Sequence, residues 1–334
     1  MNLPDAIRTT RWMIRDTIRQ SIATKLFWVM LGATLISTLF CLSVSVHDDT
    51  PPRAYEWDHP GVLPKSEADK LGMKKLENDG VRVISGEMTL GFGMMTVPVG
   101  RNREDSVRQL ELILVGLVAD TAGVLLALLW TAGFLPTFLE PQSATVLLAK
   151  PTPRWAILLG KYLGVVLFVG LNAILFIGGT WLALGIKTGV WFGAYWLAVP
   201  LLIVNFGIFY AVSAFFAVWT RSTVASAFGT ILFWFLCWMM NYTHHRLTAF
   251  PLEGMTATAQ LFLDMGYWLL PKPLDLGGIF FDAMYSDGFG VKSEELRLVQ
   301  EAGRFRPELS VLASATFAAG TLALTAYEFE MTDY

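Results

Sequence analysis

Carboxylate and amide side chains within apolar stretches are the residues of this sequence best placed to do chemistry. Asp120 lies in one such stretch, and Asn172 and Asn205 lie in two later ones. A polar group at membrane depth is costly unless it is paired or faces water, so such groups are candidates for a substrate path. Asp120 could equally lie at the outer headgroups, and inter-helix hydrogen bonding is the simpler role for the two asparagines. We treat all three as candidate substrate-path residues.

Metal ligands are the next chemistry to consider, and the sequence offers weak support for them. His244 and His245 are adjacent, and neighbouring histidines cannot easily face one metal, so we interpret them as interface-level polar residues. A scattered group of acidic and histidine residues could hold a cation; it comprises His47, Asp48, Asp49 and His59. A solvated loop explains these four residues better. We expect no metal site in this chain.

Enzyme signatures are missing from the sequence. There is no G-x-x-x-x-G-K-[ST] phosphate loop, no H-E-x-x-H, no G-x-S-x-G and no cysteine cluster. The formal net charge of −3 and the lack of a long basic run argue against a nucleic-acid partner. We therefore expect that the chain is not itself an enzyme and that it cannot hydrolyse nucleotide alone.

The composition indicates which elements must position these side chains. The 334 residues are 54% hydrophobic and 16% charged, with a mean hydropathy of +0.50. Soluble chains carry about 25% charged residues, so lipid must solvate most of this chain and a soluble enzyme is excluded. Six runs are long enough to cross a bilayer: residues 26–46, 112–135, 155–184, 192–219, 224–240 and 309–327. We predict an all-α polytopic membrane protein with six transmembrane helices.

The segment before the first span, residues 1–25, has an amphipathic pattern. Arginines and isoleucines recur at helical spacing on two neighbouring stripes, Arg8, Arg11, Arg15 and Arg19 on one and Ile7, Ile14, Ile18 and Ile22 on the other. Such a helix lies in the membrane interface with its arginines toward anionic headgroups. We predict an amino-terminal interfacial helix, with an ordinary basic tail as the alternative. The first span is too long for a cleaved signal peptide.

Positive charges in the short loops predict the orientation. The amino-terminal segment has five Lys and Arg residues, and the loops after spans two and four add Lys150, Arg154 and Arg221. The short loop on the other side carries only Lys187. Both termini, including the tail at 328–334, are therefore predicted to be cytoplasmic in a bacterial-type cytoplasmic (inner) membrane.

Two longer segments then fall on the outer side. Residues 47–111 alternate around glycines and are predicted to form a small mixed or β-rich extracytoplasmic domain between spans one and two. Residues 241–308 are semi-apolar and include 257–270, which is short, contains Asp264 and ends at prolines. We predict a re-entrant or interfacial helix there. A seventh span, which would put the carboxyl terminus outside, is the alternative.

The cytoplasmic segment between spans two and three, residues 136–154, is here named the coupling loop. Pro141 suits the first turn of a helix and Pro151 ends it, so a short helix should lie along the membrane surface. Such a helix can receive a partner protein, and an amphipathic connector is the alternative. Its residues are distinctive: Glu140 follows span two, and residues 147–151 read Leu-Leu-Ala-Lys-Pro. Arg154 comes next, and residues 159–164 read Leu-Gly-Lys-Tyr-Leu-Gly.

These residues resemble a pattern in the permease subunits of ATP-binding-cassette (ABC) transporters of the type 2 exporter class, within the group described as copper-enzyme maturation permeases. The tail at 329–334, the amino-terminal helix and the order of six spans also agree with that family. Two departures stand out. The family usually has Glu-x-x-x-Gly-Thr where this sequence has Pro141 and the Ser-Ala-Thr at 143–145, so the contact with the ATPase can differ. The segment 47–111 is also longer than in compact members of the family.

The resemblance implies a membrane subunit that works with a separate ABC ATPase subunit, as a homodimer or with a paralogue. ATP and magnesium would bind to that ATPase, and no cofactor is expected in this chain. The resemblance assigns ATPase coupling to Glu140, Lys150, Pro151, Arg154 and Lys161, and close helix packing is expected at Gly160 and Gly164. It points to export without identifying a substrate. The alternative function is a non-transporting scaffold that passes ATP-driven motion to an extracytoplasmic partner.

Overall fold

The computed structural model describes residues 3–23, 25–47, 53–54, 83–84, 86–99, 103–139, 153–252, 254–284, 286, 289 and 291–331. These residues are mostly helical. The α-helices are α1 (Leu3–Ala23), α2 (Lys25–Leu42), α3 (Arg103–Ile113), α4 (Val124–Thr131), α5 (Phe134–Phe138), α6 (Arg154–Thr188), α7 (Ala198–Thr220), α8 (Thr223–Ala249), α9 (Ala257–Leu269), α10 (Pro273–Ala283), α11 (Glu294–Glu301) and α12 (Pro307–Met331). A π-helical segment, Leu114–Gly123, joins α3 to α4, and a 3₁₀ turn, Gly193–Leu197, precedes α7.

Several helical runs are long and apolar enough to cross a membrane. Among the described residues these are Arg103–Phe138, Arg154–Thr188, Gly193–Thr220, Thr223–Ala249 and Pro307–Met331. A sixth results if the pair Ala6–Ala23 and Phe27–Leu42, bent by 67°, counts as one span. The chain therefore has the helices of an integral membrane protein, in agreement with its hydropathy.

The observed helices differ in length from the apolar runs. The helix that contains the predicted span 112–135 begins at Arg103, and the helix of span 224–240 continues to Ala249. The first apolar run, 26–46, instead leaves the helix after Leu42 and enters a strand. The backbone hydrogen bonds of a helix form whether the side chains are polar or apolar. A helix can therefore extend beyond the point at which hydropathy falls.

The chain forms two compact units, and the first comprises Met1–Ala33, Leu112–Ile177 and Ala194–Tyr334. Helix α7 is the centre of this unit and is mostly buried, packing against α12, α8, α4 and the π-helical segment. Its Tyr210 stacks on Phe206 of the same helix and on Tyr162 of α6, with ring centroids 5.2 Å and 5.6 Å apart. The Tyr162 hydroxyl donates to the Gly207 carbonyl at 2.8 Å. An apolar helix buried all round marks the core of the bundle.

The second unit comprises Thr34–Glu111 and Gly178–Gly193 and holds a small sheet. Strands β1 (Ser45–His47), β4 (Gly86–Leu90) and β5 (Met95–Val99) pair antiparallel in the order β1-β4-β5, and β2 (Arg53–Ala54) pairs with β3 (Val83–Ile84). Most of residues 48–82 lie outside the described residues.

The β4–β5 hairpin turns through residues that adopt left-handed backbone. Gly91, Phe92 and Gly93 have φ of 63°, 59° and 92°, which explains the two glycines. The turn is tied to the end of α2, because Gly91 N donates to Ser43 Oγ at 3.0 Å. Phe92 and Met94 are exposed at 76% and 89%, so the tip is an apolar surface.

Candidate functional site

Asp120 lies in the π-helical segment, Leu114–Gly123, of the second long helical run. The side-chain hydroxyl of Thr121 donates to the carbonyl of Gly116 five residues earlier, at 2.9 Å. Gly116 packs closely on α10, since a β-carbon there would lie 2.7 Å from Phe281 Cζ. π-Helical turns are rare and occur frequently at functional sites. The distorted segment therefore brings Asp120 against α10.

Asp120 and Asn205, two of the three candidate path residues, are in direct contact. Asn205 Nδ2 donates to Asp120 Oδ1 at 2.7 Å, joining the π-helical segment to α7. The Asn205 Oδ1 atom is buried and has no hydrogen-bond partner within the part of the chain that the structure describes. The third candidate, Asn172, donates to Phe168 O of its own helix at 2.9 Å. The structure thus joins Asp120 to Asn205 and gives Asn172 a local hydrogen bond.

A cavity of about 340 Å³ lies beside Asp120 in the same unit. Its walls come from the π-helical segment with the end of α3, from α10, and from the start of α11. Most lining residues are apolar. The full lining is Leu112, Ile113, Gly116, Leu117, Asp120, Thr121, Pro273, Leu274, Gly277, Gly278, Phe281, Val291, Lys292, Ser293 and Leu296.

A second polar grouping, the Asp275 cluster, is buried where four helices meet; it comprises Asp275, Asn241, His245, Tyr267 and Ser310. Asn241 Nδ2 and His245 Nε2 of α8 contact Asp275 Oδ1 at 2.8 Å and 2.5 Å. The hydroxyls of Tyr267 and Ser310 each donate to Oδ2 at 2.6 Å. With the carboxylate as acceptor, His245 Nε2 carries the hydrogen. Four donors thus surround one carboxylate that is fully buried.

Asn241 also caps the first turn of α10. Its Oδ1 accepts from the backbone N–H groups of Leu274 and Asp275, at 3.0 Å and 3.2 Å. The first N–H groups of a helix have no intrahelical partner, so this side chain satisfies two of them from a neighbouring helix. Pro273 stands at the first helical position, where a missing N–H costs nothing. The cluster therefore fixes the start of α10.

Lys272 is buried beside the cluster, with 1% exposure. Its Nζ lies 4.8 Å from the ring centroid of Tyr267 and 5.1 Å from that of Trp268, a cation–π arrangement. Burial lowers the pKa of Lys272, and the nearby charge of Asp275 opposes that change. Burial and Asp275 raise the pKa of the Tyr267 phenol, which keeps this phenol a hydrogen-bond donor at neutral pH.

The sequence interpretation missed the Asp275 cluster and treated His244 and His245 as interface-level residues. In the structure His245 is buried, and His244 stacks on Tyr267 with ring centroids 3.8 Å apart. The local signal was the Asn241–His245 spacing of four, which places both side chains on one helix face. Nothing in that spacing identifies Asp275 as their acceptor.

Acidification should weaken the cluster. Burial raises the pKa of Asp275, but hydrogen bonds from His245, Ser310 and Tyr267 outweigh it, and the pKa lies below its usual range. A lowered folded-state pKa stabilises the fold above the unfolded-state value of about 3.9, and this contribution is lost as the pH falls through the folded-state pKa. We expect the stability advantage of the wild type over Asp275→Asn to shrink below about pH 4.

Thermal unfolding of both proteins in detergent across this pH range measures the difference. Each protein serves as the other's control, because the two chains differ only at position 275. A stability difference that grows on acidification would contradict the assignment of Asp275 as the ionised acceptor.

The coupling loop is described only at its two ends, residues 136–139 and 153–154. Glu140, Lys150 and Pro151 lie outside the described residues. Arg154 stands at the first position of α6, and its Nη1 donates to the carbonyls of Phe329 and Glu330 at 3.5 Å and 3.3 Å. A cation there interacts favourably with the last carbonyls of α12.

Lys161, Gly160 and Gly164 face the amino-terminal helix. Lys161 Nζ donates to Gln20 Oε1 at 2.7 Å and lies 5.3 Å from the Phe138 ring centroid. A β-carbon on Gly160 would lie 2.6 Å from Met13 Cβ, and one on Gly164 would lie 2.7 Å from Thr17 Cβ. The two glycines therefore permit a close crossing of α1 over the start of α6. The four arginines of α1, Arg8, Arg11, Arg15 and Arg19, are exposed.

A further carboxyl group, Glu111, is fully buried in the second unit and was not singled out from the sequence. Neither of its oxygens has a hydrogen-bond partner among the described residues. Unpaired burial of a carboxyl group is costly, so Glu111, like Asp120 in the same long helical run, is a candidate functional group. The described residues hold no group of three or more His, Cys, Asp or Glu that could bind a metal ion.

Comparisons with known proteins give no family assignment. No family model matches the sequence, and no curated protein matches it significantly.

Proposed function

We propose that this chain is the membrane-spanning permease subunit of an ATP-driven ABC transporter, acting in export with a separate ATPase subunit. The observation that carries the proposal is the resemblance of residues 140–164 to the corresponding segment of type 2 exporter permeases. The chain's long apolar helices are compatible with that role. Two copies, or one copy and a paralogue, would work with two ATPase subunits in a cytoplasmic membrane, with both termini cytoplasmic.

The contacts around α6 support the hypothesis that the coupling loop passes motion to neighbouring helices. Helix α6 begins at Arg154, the last residue of the coupling loop, and its first turns hold α1 through Gly160 and Lys161. Arg154 also contacts the end of α12. A displacement of the coupling loop would therefore be passed to three helices at once. ATP binding would draw the ATPase subunits together, and the helices would rock to change access to a central site.

The test is affinity purification of the tagged chain from its native membrane in mild detergent, followed by mass spectrometry and a nucleotide-hydrolysis assay. We expect a stoichiometric ABC ATPase subunit, and at least a tenfold loss of it with Glu140→Arg or Arg154→Glu. Lys187→Glu is the matched control, because it reverses a charge on the predicted opposite side of the membrane. Size-exclusion profiles show whether each variant is folded.

Retention of the ATPase and of its coupled turnover by both variants would remove the coupling argument. Absence of any ATPase under several solubilisation conditions would overturn the proposal as a whole.

A non-transporting scaffold is the second candidate. The apolar hairpin tip at Phe92 and Met94 favours it, because an exposed apolar surface in a predicted outer domain can hold a partner. Copurification of a stoichiometric extracytoplasmic protein that is lost with Phe92→Ser would support this function. Transport by the reconstituted complex in the absence of such a protein would contradict it.

A further inference from the structure

The cavity beside Asp120 has the size and lining of a small-molecule site. Its volume of about 340 Å³ falls at the lower end of the range of about 300–1,000 Å³ typical of ligand pockets. Ile113 and Leu117 lie on its rim and are exposed at 41% and 64%, within a run apolar enough to span a membrane. Lys292 and Ser293 supply a polar part of the lining. The site thus offers both an apolar and a polar wall.

The charge balance of the cavity favours a cation. Lys292 is the lining ammonium group, and its Nζ forms an ion pair with Asp282. Asp282 also accepts from Gln300 Nε2 at 2.8 Å. By contrast, no ion pair to Asp120 is present among the described residues, and Asp120 receives one hydrogen bond, from the neutral amide of Asn205. The uncompensated charge in the lining is therefore negative.

Around Asp120, the hydrogen-bonding groups that remain free among the described residues are acceptors. Asp120 Oδ2 lies 3.9 Å from the position a β-carbon would take on Gly277, and Asn205 Oδ1 is buried without a partner among the residues described. The Thr121 hydroxyl already donates its hydrogen to Gly116 O. A ligand that donates hydrogen bonds and carries positive charge would complement this set.

The same lining argues against a divalent metal ion. Ca²⁺ takes about six to eight oxygen ligands, and Mg²⁺ keeps an octahedral shell of water and carboxylates. One carboxylate among apolar walls cannot replace such a shell. An organic ammonium group is weakly hydrated by comparison, and its attached carbons can contact Phe281 and Leu117.

We propose that this cavity binds the ammonium end of a small apolar amine, with Asp120 as its counter-ion and the apolar walls around its carbon body. The proposal rests on the proposed function in one respect, since it names amphiphilic ammonium compounds as the substrate class of the transporter. The ammonium group can belong to a free amine or to the headgroup of phosphatidylethanolamine.

The test uses binding of tritiated 2-phenylethylamine to the purified full chain in nanodiscs of phosphatidylglycerol at pH 7, without ATPase or nucleotide. We expect saturable binding, competition by unlabelled amine, and at least tenfold weaker competition by neutral 2-phenylethanol and anionic 3-phenylpropionate. A second set of nanodiscs containing phosphatidylethanolamine distinguishes the sources. Weaker apparent amine binding there identifies the lipid headgroup as a competitor, and equal binding identifies the free amine as the ligand.

Three variants test the role of the cavity. Asp120→Asn keeps the shape and is expected to weaken amine binding at least tenfold. Gly277→Leu fills the space beside Asp120 and should abolish binding. If the leucine variant does not fold, Gly277→Ala replaces it, because its β-carbon lies at an ordinary contact distance. The alanine variant should lose less affinity for the amine. Asp264→Asn is the matched control, because its side chain is 48% exposed on α9 and does not line the cavity.

Absence of saturable binding to the folded wild type, or unchanged binding by Asp120→Asn, would overturn the proposal. Equal binding of the anionic analogue would do the same. Because no ATPase is present, these results are independent of the capture experiment. Failure of the wild type to capture any ATPase, together with intact amine binding, would overturn the transporter function and leave the binding site standing.

Discussion

Replacing Asp275 by alanine is expected to lower the free energy of unfolding by about 3–5 kcal/mol, the usual cost of removing one partner of a buried charged network. The carboxylate accepts from Asn241, His245, Tyr267 and Ser310, and all five side chains are buried. Alanine would leave these donors without their acceptor and would open a small void. Chemical unfolding in detergent, followed by tryptophan fluorescence, measures the change.

The expected damage has a definite location. Asp275 and Asn241 hold the start of α10 against α8, and Tyr267 extends the attachment to α9. Amide exchange in Asp275→Ala should therefore increase first over residues 257–283. Asp264→Ala is the control, since its half-exposed carboxylate on α9 forms an ion pair with His244, of the surface kind worth about 0–1 kcal/mol. An unfolding free energy for Asp275→Ala within about 0.5 kcal/mol of the wild type would show that the cluster is not a stabilising centre.

Gly160→Leu is expected to force α1 away from α6. Even the β-carbon would lie 2.6 Å from Met13 Cβ and 3.0 Å from Thr10 O, and the second of these is backbone that cannot rotate aside. Overpacking of a close contact costs about 1–3 kcal/mol, so the cheapest response is separation of the two helices. Limited proteolysis and amide exchange should show that residues 3–23 become accessible, while the remaining long helices keep their protection.

A second readout uses the contact between Lys161 and α1. Lys161 donates to Gln20, so separation of α1 would also expose a lysine that is 2% exposed in the wild type. Its labelling by an amine-reactive reagent should rise several-fold in Gly160→Leu. Gly320→Leu on α12 is the matched control, because a β-carbon at Gly320 would meet no atom within 4 Å. Equal labelling in Gly160→Leu and the wild type would contradict the close packing of α1 on α6.

In α1 the face that packs against the protein differs from the two stripes seen in the sequence. The arginine and isoleucine stripes predict a helix at the membrane interface, and the structure has a helix at Leu3–Ala23. Its buried side, however, is a third set of residues, Ala6, Met13, Thr17 and Ser21, three of which have small side chains. They match the two glycines of α6. The hydrophobic pattern of a helix does not show which of its faces packs closely through small side chains.

Asp120 illustrates the same limit at the candidate site. Its apolar surroundings mark it as a membrane-depth carboxylate from sequence alone, because the cost of placing a charge in lipid depends only on local composition. Its partner Asn205 is 85 positions away, and its cavity is completed by α10 and by residues 291–296. No periodicity predicts which of several membrane-depth amides will meet it.

The sequence by itself determined the membrane class of this protein and the approximate places of its long helices, because hydrophobic run length is a local quantity that the bilayer thickness converts into a helix. Only the tertiary structure decided the polar sites. Asp275 meets donors from three other helices, and Asp120 is joined to Asn205 beside a cavity. The physical reason is that a buried polar group must find its partners in space, and those partners come from elements whose approach is set by packing of the whole bundle.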